Sequence, residues 1–266
     1  MPELPEVETV VRSLRPSLVG RRIVNCDIFW PKAFDQDPDL LRDRVIRRVS
    51  RRAKFILLEL DRGTLLIHLR MTGRLTTHPP HENRLRYVTV SVDLDDGQTL
   101  YFEDTRKFGR WIYTENPGAI LNGLGPEPLS PAFTARRLEE ILEGRNRAIK
   151  PLLLDQTRIA GLGNIYVDEA LFQAGIHPES RANAIPAKQV AVLHRKIRSI
   201  LRRSIERQGT TVMTFMYGEG RSGEFQSQLR VYGRKDEPCP TCGSAIRKIT
   251  LAQRGTHFCQ KCQVRY

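Results

Sequence analysis

Four cysteines constrain this chain more than any other feature. They stand as Cys239-Pro-Thr-Cys242 and Cys259-Gln-Lys-Cys262, with residues 243–258 between the pairs. Each Cys-x-x-Cys turn aims two thiolates at one point, and two such turns close a tetrahedron around Zn²⁺ with no position open for a substrate. One structural zinc is therefore expected, holding a ribbon over residues 229–266. The alternative, a pair of disulfides, belongs to oxidising compartments. The fifth cysteine, Cys26, falls in the apolar run Ile23–Trp30 and reads as an inert buried thiol.

Upstream of the ribbon the hydrophobic period changes twice, which predicts an α+β multidomain chain. Residues 5–14 read as a helix: Pro5 suits a first helical turn, Glu6 and Glu8 follow it, and Val7, Val10, Val11 and Leu14 recur at helical spacing. Short β-rich runs follow, at Arg22–Phe29, Phe55–Leu60, Thr64–Leu69, Tyr87–Leu94, Thr99–Phe102 and Trp111–Tyr113. Turns such as Asp61-Arg62-Gly63 and Asp95-Asp96-Gly97 separate them, the pattern of an antiparallel β-sandwich or barrel. Breakers crowd residues 116–131, which makes that stretch a linker between a domain at 1–115 and a helical one at 132–228. In the latter, Leu138, Ile141 and Leu142 mark one helix, a second runs from Ile165 to a stop at Gly175, and a third from about Ala187 to Arg207. A glycine-rich loop occupies residues 217–225.

The charge is strongly one-sided: Lys and Arg number 43 against 30 Asp and Glu, a formal +13. Such an excess is the footprint of a phosphate-backbone binder. No run of about 18 apolar residues and no basic-then-apolar leader are found, so neither a membrane span nor a secretory signal is expected, and the chain is placed in the cytoplasm.

Beyond the cysteines, a series of motifs runs through the chain in order: Met1-Pro-Glu-Leu-Pro-Glu6, Arg52-Ala-Lys54, His68-Leu-Arg-Met71-Thr-Gly73, Asp104-Thr-Arg106-Lys-Phe108-Gly109, Gly123-Leu-Gly-Pro-Glu-Pro-Leu129, Gly161-Leu-Gly-Asn164-Ile-Tyr166 and Val231-Tyr-Gly-Arg234. With the terminal zinc module and its Arg254, this series resembles the bacterial formamidopyrimidine-DNA glycosylases. The resemblance implies an N-terminal sandwich that carries the catalytic helix, a helix-two-turn-helix domain and a zinc ribbon. It also implies a monomeric base-excision enzyme acting on double-stranded DNA that holds oxidised bases or abasic sites. Oxidised purines, 8-oxoguanine and formamidopyrimidines, are the expected lesions, with the 217–225 loop recognising them and β,δ-elimination cutting the strand.

The N-terminus carries a physical argument of its own. Removal of Met1 would expose Pro2 as a secondary amine, with an ordinary α-amino pKa of roughly 7.7–8, able to attack a sugar carbon and form an iminium. Glu3 is the family's candidate to protonate the ring oxygen, and Glu6, in the first helical turn, reads as a supporting carboxylate. The resemblance gives Lys54 and Arg254 roles in elimination and phosphate contact, and His68 and Asn164 contacts to the backbone. Arg145 and Lys150 are further candidates for that backbone. Met71, Arg106 and Phe108 match the side chains that fill the hole left by a flipped base, and Arg106 suits a cytosine edge. In one place the pattern departs from the family: Arg86-Tyr87-Val88-Thr89 stands where a histidine is expected, and the Tyr87 hydroxyl would have to replace it. The competing class is a non-catalytic zinc-ribbon binder of nucleic acid; the presence of both Pro2 and Glu3 argues against it.

Overall fold

In the computed structural model, residues 1–211, 216–217 and 221–266 are described. The chain forms two compact units. One comprises Met1–Gly123 with Arg207–Glu224, the other Leu124–Glu206 with Phe225–Tyr266. No helix among the described residues is long and apolar enough to cross a membrane.

The first unit opens with α1 (Leu4–Leu18), which buries Leu4, Val7, Val10, Val11, Leu14 and Leu18 along one face. The strands follow: β1 (Ile23–Ile28), β2 (Ile46–Arg52), β3 (Phe55–Leu60), β4 (Thr64–His68), β5 (Gly73–Thr76), β6 (Val88–Leu94), β7 (Thr99–Asp104) and β8 (Arg110–Thr114). They make two four-stranded sheets, in the orders β1-β6-β7-β5 and β2-β3-β4-β8, and every pairing is antiparallel. This is the expected sandwich. Its core joins Ile23, Ile46, Val49, Ile56, Leu65, Val90, Leu100, Phe102 and Trp111 to the buried face of α1. Each such side chain contributes about 1.5–3 kcal/mol by leaving water. A short helix, α2 (Gly118–Leu121), ends the continuous part of the unit.

The second unit holds α3 (Ala135–Leu142), α4 (Ile149–Leu154), α5 (Asn164–Ala174), α6 (Ala187–Glu206) and the hairpin β9 (Arg247–Leu251) with β10 (Arg254–Phe258). Thr134 caps α3 by accepting from the Arg137 N–H at 3.1 Å. α5 stops at Gly175, whose φ of 68° is the left-handed conformation that glycine adopts at no steric cost. Helix α5 packs against α4, α6 and β10, and nearly all its residues are buried, Asp168 and Glu169 included. The ribbon contributes little apolar mass: Val231, Cys239, Ile246 and Cys259 pack with Phe172 of α5.

Candidate active site and nucleic-acid interface

The amino terminus of the first unit gathers charge in a buried setting. Pro2 is buried, and Glu3 and Glu6 are 3% and 2% exposed. Glu6 is the N3 residue of α1, and its carboxylate accepts from the Glu3 N–H at 2.8 Å and from the Thr210 N–H at 2.8 Å. It thus pins the helix start to the segment that returns at residue 207. The Met1 amine, next to Pro2, is held below its ordinary pKa by burial first; Lys54 and Arg106 push the same way, while Glu3 and Glu6 oppose them. Four expected site residues therefore act on one nitrogen.

Strained backbone marks where the expected contacts sit. Among the described residues, eight non-glycine residues have positive φ; four of these, Ala53, Arg70, Lys107 and Gln253, adjoin expected site residues, and a fifth, Ala252, precedes Gln253. Each such conformation costs about 1–3 kcal/mol unless its surroundings impose it. Ala53 and Lys54 form the two-residue turn of the β2–β3 hairpin, closed by the Arg52–Phe55 pair, and Lys54 there is only 6% exposed. Arg70 turns the chain between His68 and Met71, and Lys107 does so between Arg106 and Phe108. Ala252 and Gln253 are both left-handed, the geometry of a tight hairpin turn, and they deliver Arg254 exposed at the start of β10.

His68 is fixed in its tautomer. The Arg70 N–H donates to its Nδ1 at 3.0 Å, so the ring proton stands on Nε2 as a donor. Burial, with Arg70 and Lys54 adding to it, pushes its pKa down to about 3. The Phe55 ring meets it edge-on at 4.8 Å. A neutral N–H donor with two cations nearby suits a phosphate oxygen. Met71 is partly exposed, Arg106 is exposed, and Phe108 is 49% exposed with the Arg106 guanidinium 4.9 Å from its ring centre. The Tyr87 ring lies beneath the guanidinium groups of Arg86 and Arg84.

In the second unit, Asn164 opens α5 and donates from Nδ2 to the Gly255 carbonyl at 2.9 Å. This ties the helix start to the residue after Arg254. Arg145 is exposed. Lys150 does not lie where the sequence reading put it. It is fully buried, with its ammonium 2.6 Å from Asp168, 2.8 Å from the Thr256 hydroxyl and 3.0 Å from the Gly255 carbonyl. An ammonium so enclosed has no surface for a DNA phosphate; it fastens α4 and α5 to the ribbon. The reading also missed Asp168, which accepts from the His257 N–H at 2.9 Å, and Glu169, which takes the N–H groups of Arg230, Val231 and Tyr232 at 2.8–3.0 Å. Two adjacent acids in an apolar helix were the available signal, since such acids are buried only when partnered. Of the 217–225 loop, residues 218–220 lie outside the described residues.

The four ribbon thiols fit zinc. Their Sγ atoms all lie within 4.8 Å of one another, at 3.8 Å for Cys239–Cys262 and 3.5 Å for Cys242–Cys259. A tetrahedron with Zn–S bonds of about 2.3 Å has edges of roughly 3.8 Å. All four positions are protein ligands, so the metal's work is structural.

Comparison with known proteins agrees with this geometry. Family models described as the formamidopyrimidine-DNA glycosylase N-terminal domain, the formamidopyrimidine-DNA glycosylase H2TH domain and a zinc finger found in FPG and IleRS match residues 1–111, 124–216 and 236–264. A formamidopyrimidine-DNA glycosylase of Herpetosiphon aurantiacus is 47% identical over 99% of this chain and 100% of its own. The crystal structure of the MutM (Fpg) protein from Thermus thermophilus is 38% identical, covers 100% of both chains and has a TM-score of 0.91. Lactococcus lactis Fpg, also 38% identical, matches over 99% of this chain and 100% of its own. It does so in a complex with abasic-site-containing DNA (TM-score 0.88) and, as a point mutant, in one with Fapy-dG-containing DNA (TM-score 0.89). Fold and site thus define a zinc-ribbon DNA glycosylase of DNA repair. The chain belongs to the formamidopyrimidine-DNA glycosylase family.

Proposed function

We propose that the chain excises oxidised purines, 8-oxoguanine and formamidopyrimidines, from duplex DNA and then cuts the strand at the resulting abasic site, with the Pro2 amine as nucleophile. The observation that carries this reading is geometric: Pro2 is buried at the start of α1 with the buried carboxyls of Glu3 and Glu6, and burial there holds the neighbouring Met1 amine below its ordinary pKa. Burial favours the neutral, nucleophilic form of an amine. Once Met1 is removed, the Pro2 nitrogen attacks C1′ of the damaged nucleotide. The Glu3 carboxyl protonates the ring oxygen, the base departs, and an iminium joins Pro2 to the opened sugar. The iminium acidifies C2′, so loss of that proton expels the 3′ phosphate and a second elimination expels the 5′ phosphate.

The remaining residues bind and orient. Lys54, the Nε2–H of His68, Asn164 and Arg254 contact phosphates, with Arg145 and the Tyr87 hydroxyl as outer contacts. Met71, Arg106 and Phe108 fill the space vacated by the flipped base. The Fapy-dG and abasic-site complexes of the Lactococcus lactis relative support both halves of the reaction.

Borohydride trapping tests the assignment. Reduction during turnover should yield a covalent protein–DNA adduct on the peptide that begins at Pro2, and a retained Met1 should abolish it. Glu3→Gln should slow excision of 8-oxoguanine more than cutting at a preformed abasic site. An adduct mapped to Lys54 would assign the nucleophile elsewhere.

A further inference from the structure

Two loops of the sandwich carry the side chains proposed to enter the duplex: Met71 lies on the turn after β4, and Arg106 and Phe108 lie on the turn after β7. One carboxylate fastens them to each other. Asp104, the last residue of β7, is 1% exposed. Its Oδ1 accepts from the Thr72 hydroxyl at 2.5 Å and from the Arg106 N–H at 3.1 Å, while Oδ2 accepts from the Gly109 N–H at 2.7 Å. The Thr72 oxygen in turn accepts from the Arg106 N–H at 3.2 Å. The N–H groups of Arg106 and Gly109 bracket Lys107 and hold it left-handed at φ 58°. The backbone at Gly109 packs closely as well, for a Cβ there would stand 2.3 Å from the Phe102 ring.

The donor and acceptor count is specific. An ionised carboxylate accepts at both oxygens, and three donors converge on this one; an amide in its place would turn an N–H₂ group toward a donor. Thr72 must both donate and accept, which valine of the same shape cannot do. Phe108 is half exposed and lies outside the buried core of the sandwich, so its register with Met71 depends on the backbone that these bonds hold.

We infer that Asp104 and Thr72 are positioning residues for base extrusion, locking Met71, Arg106 and Phe108 into one preassembled wedge. The inference rests on the reading of those three side chains as the residues that fill the vacated space. Preassembly spares the ordering cost at the moment of insertion. It also gives Asp104 and Thr72 an effect on extrusion that neither exerts on the later bond-making steps.

The test uses the full-length, zinc-loaded protein and a duplex carrying 8-oxoguanine with 2-aminopurine as its neighbour. Stopped-flow fluorescence reads extrusion, single-turnover kinetics reads excision, and a preformed abasic duplex reads cutting alone. Asp104→Asn and Thr72→Val should each slow extrusion and excision by about 10- to 100-fold, the scale expected when reacting groups are misplaced by about 1 Å. Cutting of the abasic duplex should change by less than about threefold, and the double variant should be no slower than the slower single one. Thr72→Ser should restore the extrusion rate that Thr72→Val loses, and this pair carries the test should Asp104→Asn fail to fold. Equal losses on both duplexes, or Thr72→Val extruding at the wild-type rate, would overturn the inference. Met71→Ala and Phe108→Ala serve as the reference. Unchanged extrusion in these two refutes the wedge reading itself, whereas slowed extrusion there beside normal rates in Thr72→Val and Asp104→Asn refutes the positioning role alone.

Discussion

In the sandwich, the side chains expected at the DNA hang from strand ends anchored in a core that runs from Val7 to Trp111. In the ribbon, Arg254 rides on a two-stranded hairpin over a handful of buried side chains, two of them metal ligands. Both regions aim cations through left-handed turns, at Ala53 in one and at Ala252 and Gln253 in the other. They differ in what imposes the strain. Two packed sheets do so in the first, whereas the second relies on zinc, on Glu169 and on the buried pair Lys150–Asp168. A small module can therefore present a strained turn only by borrowing order from a metal and from its neighbours' charges.

Zinc removal should break that comparison open with the largest effect. Structural zinc supplies about 10–16 kcal/mol of apparent folding free energy in small modules. Chelation, or Cys239→Ser, should therefore unfold the ribbon and cost most of the DNA affinity. Both tryptophans, Trp30 and Trp111, lie in the sandwich, so their emission should not change. A red shift in tryptophan emission at the same chelator concentration would show that the sandwich too depends on the metal.

The second test removes the borrowed charge. Lys150→Ala leaves Asp168 buried without its ammonium, a loss of about 3–5 kcal/mol for a pair of this kind. Calorimetry should show the second unit melting earlier while the tryptophan-reported transition stays in place. A variant as stable as the parent would mean that Asp168 is satisfied by its other partners.

The third test sharpens the sandwich side and has the smallest effect near neutrality. The His68 pKa lies at about 3, below the ordinary value of about 6.5 in an unfolded chain. The folded state therefore prefers the neutral ring. Its contribution is intact above about pH 6.5 and is lost as pH falls from there toward about 3. Urea unfolding followed by tryptophan emission should show His68→Gln losing less stability than the parent between about pH 7 and about pH 4.5. Parallel pH dependences would place the imidazole in water.

Much of this was legible in the chain. Helix α1, the Gly175 stop and the zinc ligands follow from spacing alone, because each rests on a local rule. Strand β2 was missed: arginines at 47, 48, 51 and 52 mask its buried Ile46 and Val49, and a register shift near Arg48 breaks the alternation. The Ala53–Lys54 turn lacks the glycine or asparagine that would announce it. Strand β5 is only four residues long. Lys150 was misread because sequence cannot tell a lysine facing solvent from one facing an aspartate that lies a helix away. Asp104 was seen as part of a motif, but its three donors come from two loops that meet only in the folded sheets.

The bond from the Thr210 N–H to Glu6 spans 204 residues of chain, and the first unit is not complete until Glu224 has been made. At about 5–20 residues per second, synthesis of that interval takes roughly 10–40 s. For that time the amino terminus emerges without the segment that later pins Glu6. On the proposed reading, a peptidase that trims the leading methionine would have its opportunity before the fold closes, and the timing of translation would help decide whether the Pro2 amine is ever exposed.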